Sequence, residues 1–185
     1  FYYFVTASLA DNNFILNKEF TVKQFFKSSS WTLNSVLFEE LIFRGALLYI
    51  AIKKLGIRTA CIISAIAFGI YHWFSFGAFG NPIQMIIIFF MTGIWGLMFA
   101  FAFAKTKSLY LPIGLYFGLN LIKIVFFSEG PLGRQLLFSS NENKLEGLLS
   151  LFFFILQIIL LPILTYLFLK SKKSNIESVQ ETTNR

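Results

Sequence analysis

Three short runs of this 185-residue chain hold the groups that can move protons or bind charge. At 38–44 the run FEELIFR sets Glu39, Glu40 and Arg44 among apolar neighbours. At 68–72, FGIYH carries Phe68 and His72, the single histidine of the chain. At 116–120, YFGLN carries Tyr116 and Asn120. Carboxylate and imidazole accept protons, while guanidinium, phenol and amide donate hydrogen bonds. Glu40 and Arg44, Phe68 and His72, and Tyr116 and Asn120 each stand four residues apart, one turn and one face of a helix. Glu40 can therefore pair with Arg44 along its own helix. Glu39 lies about 100° around that helix and need not be consumed by the pair. Plainer readings exist for each run: a structural ion pair between helices, a hydrogen-bonded packing histidine, and an asparagine bridging two helices.

The elements that must carry these groups follow from composition. The chain is 56% hydrophobic and 19% aromatic, with only 14% charged residues against about 25% in globular proteins. One water-soluble core of this size could not hide so much apolar surface. Disordered chains are poor in aromatics and rich in charge, so disorder is excluded as well. The lone cysteine, Cys61, excludes a disulfide framework and a cysteine zinc cluster. A single histidine excludes any site that needs two imidazoles from one chain.

A membrane-crossing helix needs about 20 apolar residues. Stretches of that kind run over 31–52, 57–79, 82–104, 108–127 and 145–169. The expected fold class is an all-α integral membrane protein, a polytopic transmembrane helix bundle with a buried polar cavity. Residues 1–10 read as the end of a truncated span, and 11–30, which alternate charge with phenylalanine, as an interfacial segment. Residues 31–169 read as the transmembrane domain, and 170–185 as a polar tail, disordered from 174. Gly45, Gly69, Gly93, Gly96, Gly114 and Gly118 read as close-packing positions.

Charges inside a span cost several kcal/mol and are functional candidates by default. Counted from the same end of their spans, Glu39, His72 and Asn120 each lie about seven or eight residues deep. At 1.5 Å per residue that is about 10–12 Å below one surface, where all three can meet. Lys53, Lys54 and Arg58, then Lys105 and Lys107, then Lys170, Lys172 and Lys173 fall on the other side by alternation. The positive-inside rule puts that side and the C-terminus in the cytoplasm. The same clustering beside apolar runs suits anionic lipid, and a nucleic-acid partner is not expected.

Together these runs resemble the CPBP family of intramembrane proteases, which includes CAAX prenyl endopeptidases and Abi-like bacteriocin-processing or self-immunity proteins. The family's EExxxR motif is matched by Glu39, Glu40 and Arg44, and its FxxxH motif by Phe68 and His72 on the next span. Its third motif, HxxxN or HxxxD after a serine-leucine-aromatic step and a proline, is met by Ser108, Leu109, Tyr110, Pro112 and Asn120. Tyr116 stands where that motif has histidine. The resemblance covers about residues 31–169.

Carried over, it implies an endopeptidase of a bacterial plasma membrane acting on a membrane-associated peptide or lipidated protein. Glu39 and His72 would activate water, Glu40, Arg44 and Phe68 would support them, and Asn120 would stabilise the oxyanion. That chemistry is coherent: a carboxylate in a low-dielectric cavity is a better base, and an amide can bind developing negative charge. One histidine, two glutamates and an asparagine make a poor zinc site. No cofactor is firmly implied, and a divalent metal such as zinc on Glu39 and His72 is the alternative. Tyr116, as a donor, would join Asn120 at the oxyanion. The competing reading is a catalytically silent relative that serves as a binding or bacteriocin-immunity partner.

Overall fold

A computed structural model describes residues 2–183, with side chains through Ser171. Seven α-helices follow in order, α1 (Tyr2–Leu9), α2 (Val22–Arg44), α3 (Ala46–Leu55), α4 (Ile57–Ser75), α5 (Pro82–Thr106), α6 (Tyr110–Asn120) and α7 (Gly147–Thr183). Two three-residue strands, β1 (Phe14–Leu16) and β2 (Leu137–Ser139), and a π-helical turn, Leu121–Phe126, complete the described elements. Apart from that short strand pair, the protein is a helical membrane protein, as expected. Among the described residues, α4, α5 and the 147–171 part of α7 are long and apolar enough to cross a bilayer.

Two of the five expected spans are built differently. The stretch expected at 31–52 is two helices, and the first of them starts nine residues early. Thr21 and Gln24 form a reciprocal cap: the Gln24 side-chain oxygen accepts from the Thr21 backbone N–H at 2.7 Å, and the Thr21 hydroxyl accepts from the Gln24 N–H at 3.2 Å. That capping box starts α2 at Val22, inside the segment expected to lie at the interface. Gly45, at ψ −140°, leaves the helical region and separates α2 from α3. The stretch expected at 108–127 is helical over Tyr110–Phe126, shorter than the three spans. The disorder expected from 174 falls beyond the described side chains, and the backbone continues α7 through Thr183. Residues 184–185 lie outside the described residues.

The chain divides into two compact units, Phe1–Leu41 with Ile113–Gln157, and Ile42–Pro112 with Ile158–Arg185. In the first, β1 and β2 pair antiparallel in the register Phe14↔Ser139, Ile15↔Phe138 and Leu16↔Leu137. Phe127 anchors this end, stacked on Tyr3 at 4.2 Å and edge-on to Phe14 at 4.9 Å. Asn12, almost fully buried, donates to the carbonyls of Asn141 and Asn143 and so ties the segment before β1 to the one after β2. A buried hydrogen bond of 2.7 Å from Ser28 to Gln135 ties α2 to the 127–136 loop.

The second unit is built on the pairing of α4 with α5. Glycine allows the approach: a Cβ on Gly69 would meet the Phe89 ring at 2.7 Å and its carbonyl at 3.2 Å. Such small-residue contacts are how membrane helices gain van der Waals packing without a hydrophobic driving force. Leu48, Ala60, Cys61, Ala100, Phe103 and Ala104 form a buried cluster joining α3, α4 and α5. Asn81 caps α5 by accepting from the Gln84 N–H, with Pro82 at the first helical position.

Candidate functional site

Near the C-terminal end of α2, Glu39 is 7% exposed and Glu40 fully buried. In the same unit, α6 carries Tyr116, 6% exposed, and ends at Asn120. The start of α6 is set by Ser108, whose hydroxyl accepts from the Tyr110 N–H at 3.2 Å. Pro112 falls in the first turn, where its missing N–H costs nothing. With the helix so started, Tyr116 comes within reach of α2. Its hydroxyl donates to Glu39 Oε2 at 2.7 Å, a short buried bond across 77 residues of sequence. Asn120 is half-buried, and its amide makes no capping bond to the π-turn that follows.

The second unit holds Arg44, Phe68 and His72, all nearly or fully buried. The Arg44 guanidinium lies 4.1 Å from the centre of the Phe68 ring, with Phe99 at 5.2 Å and Phe43 at 5.7 Å. Its Nη2 donates to the Gly96 carbonyl at 3.1 Å. Stacked aromatic faces and a backbone acceptor suit a planar, weakly hydrated guanidinium better than an ammonium. Phe68 and Arg44 therefore belong to one arrangement although 24 residues separate them in the chain.

His72 sits one turn beyond Phe68 on α4. Its Nδ1 lies 2.8 Å from the Phe68 carbonyl. A carbonyl only accepts, so Nδ1 carries the proton, and in the neutral ring Nε2 is the basic nitrogen. The tilted Phe68 ring at 4.4 Å and Phe76 at 5.8 Å flank the imidazole and fix its plane.

Of the residues expected to form the site, Glu39 and Tyr116 are brought into direct contact within the first unit, with Asn120 on the same helix as Tyr116. Arg44, Phe68 and His72 are brought together within the second. Sequence reasoning missed Phe99 and Phe43 as walls around Arg44, because an aromatic in a phenylalanine-rich helix carries no distinguishing signal. It counted Gly96 as a packing position and missed its carbonyl as an acceptor.

The donor set fits zinc poorly. Among the described residues no group of three or more His, Cys, Asp or Glu side chains converges to hold a metal ion, and structural and catalytic zinc sites use three or four protein ligands.

Compared with known families, residues 23–122 match the one described as type II CAAX prenyl endopeptidase Rce1-like. No curated protein and no solved structure matches the chain.

Proposed function

Because the chain belongs to the Rce1-like family of type II CAAX prenyl endopeptidases, we propose that it is an intramembrane endopeptidase cleaving a membrane-associated peptide through water activated by Glu39 and His72. The observation that carries this reading is the pairing of deep burial with proton chemistry at those two residues. Glu39 and His72 are 7% and 5% exposed. Buried titratable groups in an apolar protein are costly to keep unless they serve a purpose.

In the proposed reaction Glu39 takes a proton from water as the oxygen attacks the scissile carbonyl. His72, with Nδ1 protonated against the Phe68 carbonyl, accepts a hydrogen bond from the same water at Nε2 and shares in holding it, while the one proton released goes to Glu39 and from there to the departing amine. Asn120 donates to the carbonyl oxygen as it gains charge. The tetrahedral intermediate collapses, the C–N bond breaks, and the departing amine takes up the proton. Glu40 and Arg44, one turn apart on α2, support the pair, and Phe68 holds the guanidinium in place. No step runs through a metal. The basic clusters at 53–58, 105–107 and 170–173 support a cytoplasmic C-terminus.

The test is cleavage by the purified protein in lipid nanodiscs of prenylated and unprenylated C-terminal peptides, alongside a membrane-anchored peptide library. Cleavage that Glu39→Gln and His72→Ala each abolish supports the reading. Cleavage untouched by both variants overturns the site. Tyr116 in the third-motif histidine position favours a second reading, a catalytically silent relative that binds peptide. Binding without cleavage of any probe would establish it.

A further inference from the structure

The hydrogen bond between Tyr116 and Glu39 changes the role expected for the phenol. A tyrosine hydroxyl has one proton to donate. In this structure that proton goes to Glu39 Oε2, at 2.7 Å, between two residues more than nine-tenths buried. A donor committed to the base cannot at the same moment stabilise an oxyanion.

We propose that Tyr116 is a positioning residue for Glu39: its hydroxyl holds the carboxyl group at Oε2 and so fixes its rotamer for the reaction with water. Asn120 then supplies the oxyanion contact without it. Three features of the pair support this. The bond is short, 2.7 Å, and buried at both ends, where a donor left without its acceptor is costly. It joins two helices distant in sequence, α2 and α6, so it fixes the carboxylate rotamer by tertiary contact. A long, rigid phenol with two side-chain torsions also loses little entropy on being ordered, which suits a brace better than a flexible amide would. The residue that departs from the resemblance thus has a defined contact with the residue the proposed chemistry depends on.

The catalytic part of this inference rests on the proposed hydrolysis, but the contact can be tested without it. The experiment is a double-mutant cycle on the thermal unfolding of the detergent-solubilised 185-residue protein, using Tyr116→Phe, Glu39→Leu and both together. Tyr116→Phe removes the O–H and keeps the ring. It should lower the unfolding midpoint by about 3–8 °C in the wild-type background and change it little beside Glu39→Leu. Equal shifts in the two backgrounds would overturn the contact. If Glu39→Leu does not fold, Glu39→Gln takes its place, with a smaller but still non-zero coupling expected, because a neutral amide oxygen accepts more weakly.

Where cleavage is observed, Tyr116→Phe should lower kcat about 10- to 100-fold at nearly unchanged KM. Tyr116→His, which restores a donor, should recover part of that loss. Coupling without any cleavage would support the brace while defeating the proposed hydrolysis. Cleavage with no coupling would do the reverse. A kcat loss with no coupling to Glu39 would return Tyr116 to the oxyanion.

Discussion

The guanidinium of Arg44 lies 4.1 Å from the centre of the Phe68 ring. The two conserve neither sequence proximity nor a shared helix, since Arg44 ends α2 and Phe68 sits in the middle of α4. Their contact gives a physical reason for an aromatic one turn before His72. The ring stacks on the cation, and the carbonyl of the same residue orients the imidazole. One residue thus serves two of the expected site groups.

Phe68→Leu should therefore cost more than its lost area. A desolvated cation–π contact contributes about 2 kcal/mol, in addition to the packing lost. Phe68→Trp keeps a π face but overfills the contact with Gly96, and Phe68→Tyr should be the mildest change. Thermal unfolding should place the Leu variant below the Tyr variant. A Leu variant as stable as the Tyr variant would remove the cation from the account.

The two glutamates of α2 should respond differently. Arg44→Met removes a fully buried cation and should destabilise the protein by about 3–5 kcal/mol, the usual cost of stranding a buried partner charge. Glu40→Gln should also lose stability. Glu39→Gln should fold normally and lose peptide cleavage. Size-exclusion profiles and unfolding midpoints, measured beside activity, separate the cases. Equal folding defects at positions 39 and 40 would defeat the division of roles.

Gly96 should not tolerate a side chain. A Cβ there would meet Phe68 Cδ1 at 2.9 Å and Arg44 Nη2 at 3.3 Å. Gly96→Ala should cost about 1–3 kcal/mol through overpacking, despite the better helix propensity of alanine. By contrast, a Cβ on Gly114 meets nothing within 4 Å, so Gly114→Ala should be neutral or slightly stabilising. The comparison of the two unfolding midpoints is the check.

Glu129 supplies a pH dependence outside the membrane-spanning helices. It borders a cleft of about 1070 Å³ with Tyr2, Tyr3 and Lys144. Its residue surface stays open to that cleft while its carboxyl is crowded by protein, and this desolvation raises its pKa above 4.5 despite the opposing pull of Lys123 and Lys144. A carboxyl whose native pKa is raised binds its proton more tightly folded than unfolded. Its contribution is thus favourable below pH 4.5 and is lost as pH rises through the native value. Glu129→Gln should flatten the stability profile in that window and leave the protein no less stable at neutral pH. A steeper profile in the variant would reverse the sign.

Much of this protein was legible from residue types and spacing. Apolar stretches of helical length announced a membrane protein, because a backbone in hydrocarbon must satisfy its own hydrogen bonds. The four-residue spacings at 40/44, 68/72 and 116/120 placed each pair on one helical face. The matched family agrees with the resemblance those runs carried. Breaks and starts were harder to see. The Thr21–Gln24 capping box lay within a charged, phenylalanine-rich segment, where it was masked by composition. Gly45 looked like any packing glycine, since nothing in a sequence says which glycine will leave the helical region.

Partners across the chain were decided only by tertiary structure. Tyr116 could have faced a substrate carbonyl, yet its proton goes to Glu39. Helical spacing puts Arg44 one turn from Glu40, and its contacts with Phe68, Phe99 and the Gly96 carbonyl add groups from other helices that no spacing within α2 could show. The physical reason is the same in both cases. Spacing along one helix fixes which way a side chain leaves it, whereas the acceptor it finds depends on the rotation and approach of a second helix. Around Arg44 that approach is set by where glycine lets backbones close, at Gly69 and Gly96, and a buried donor then takes the acceptor within reach.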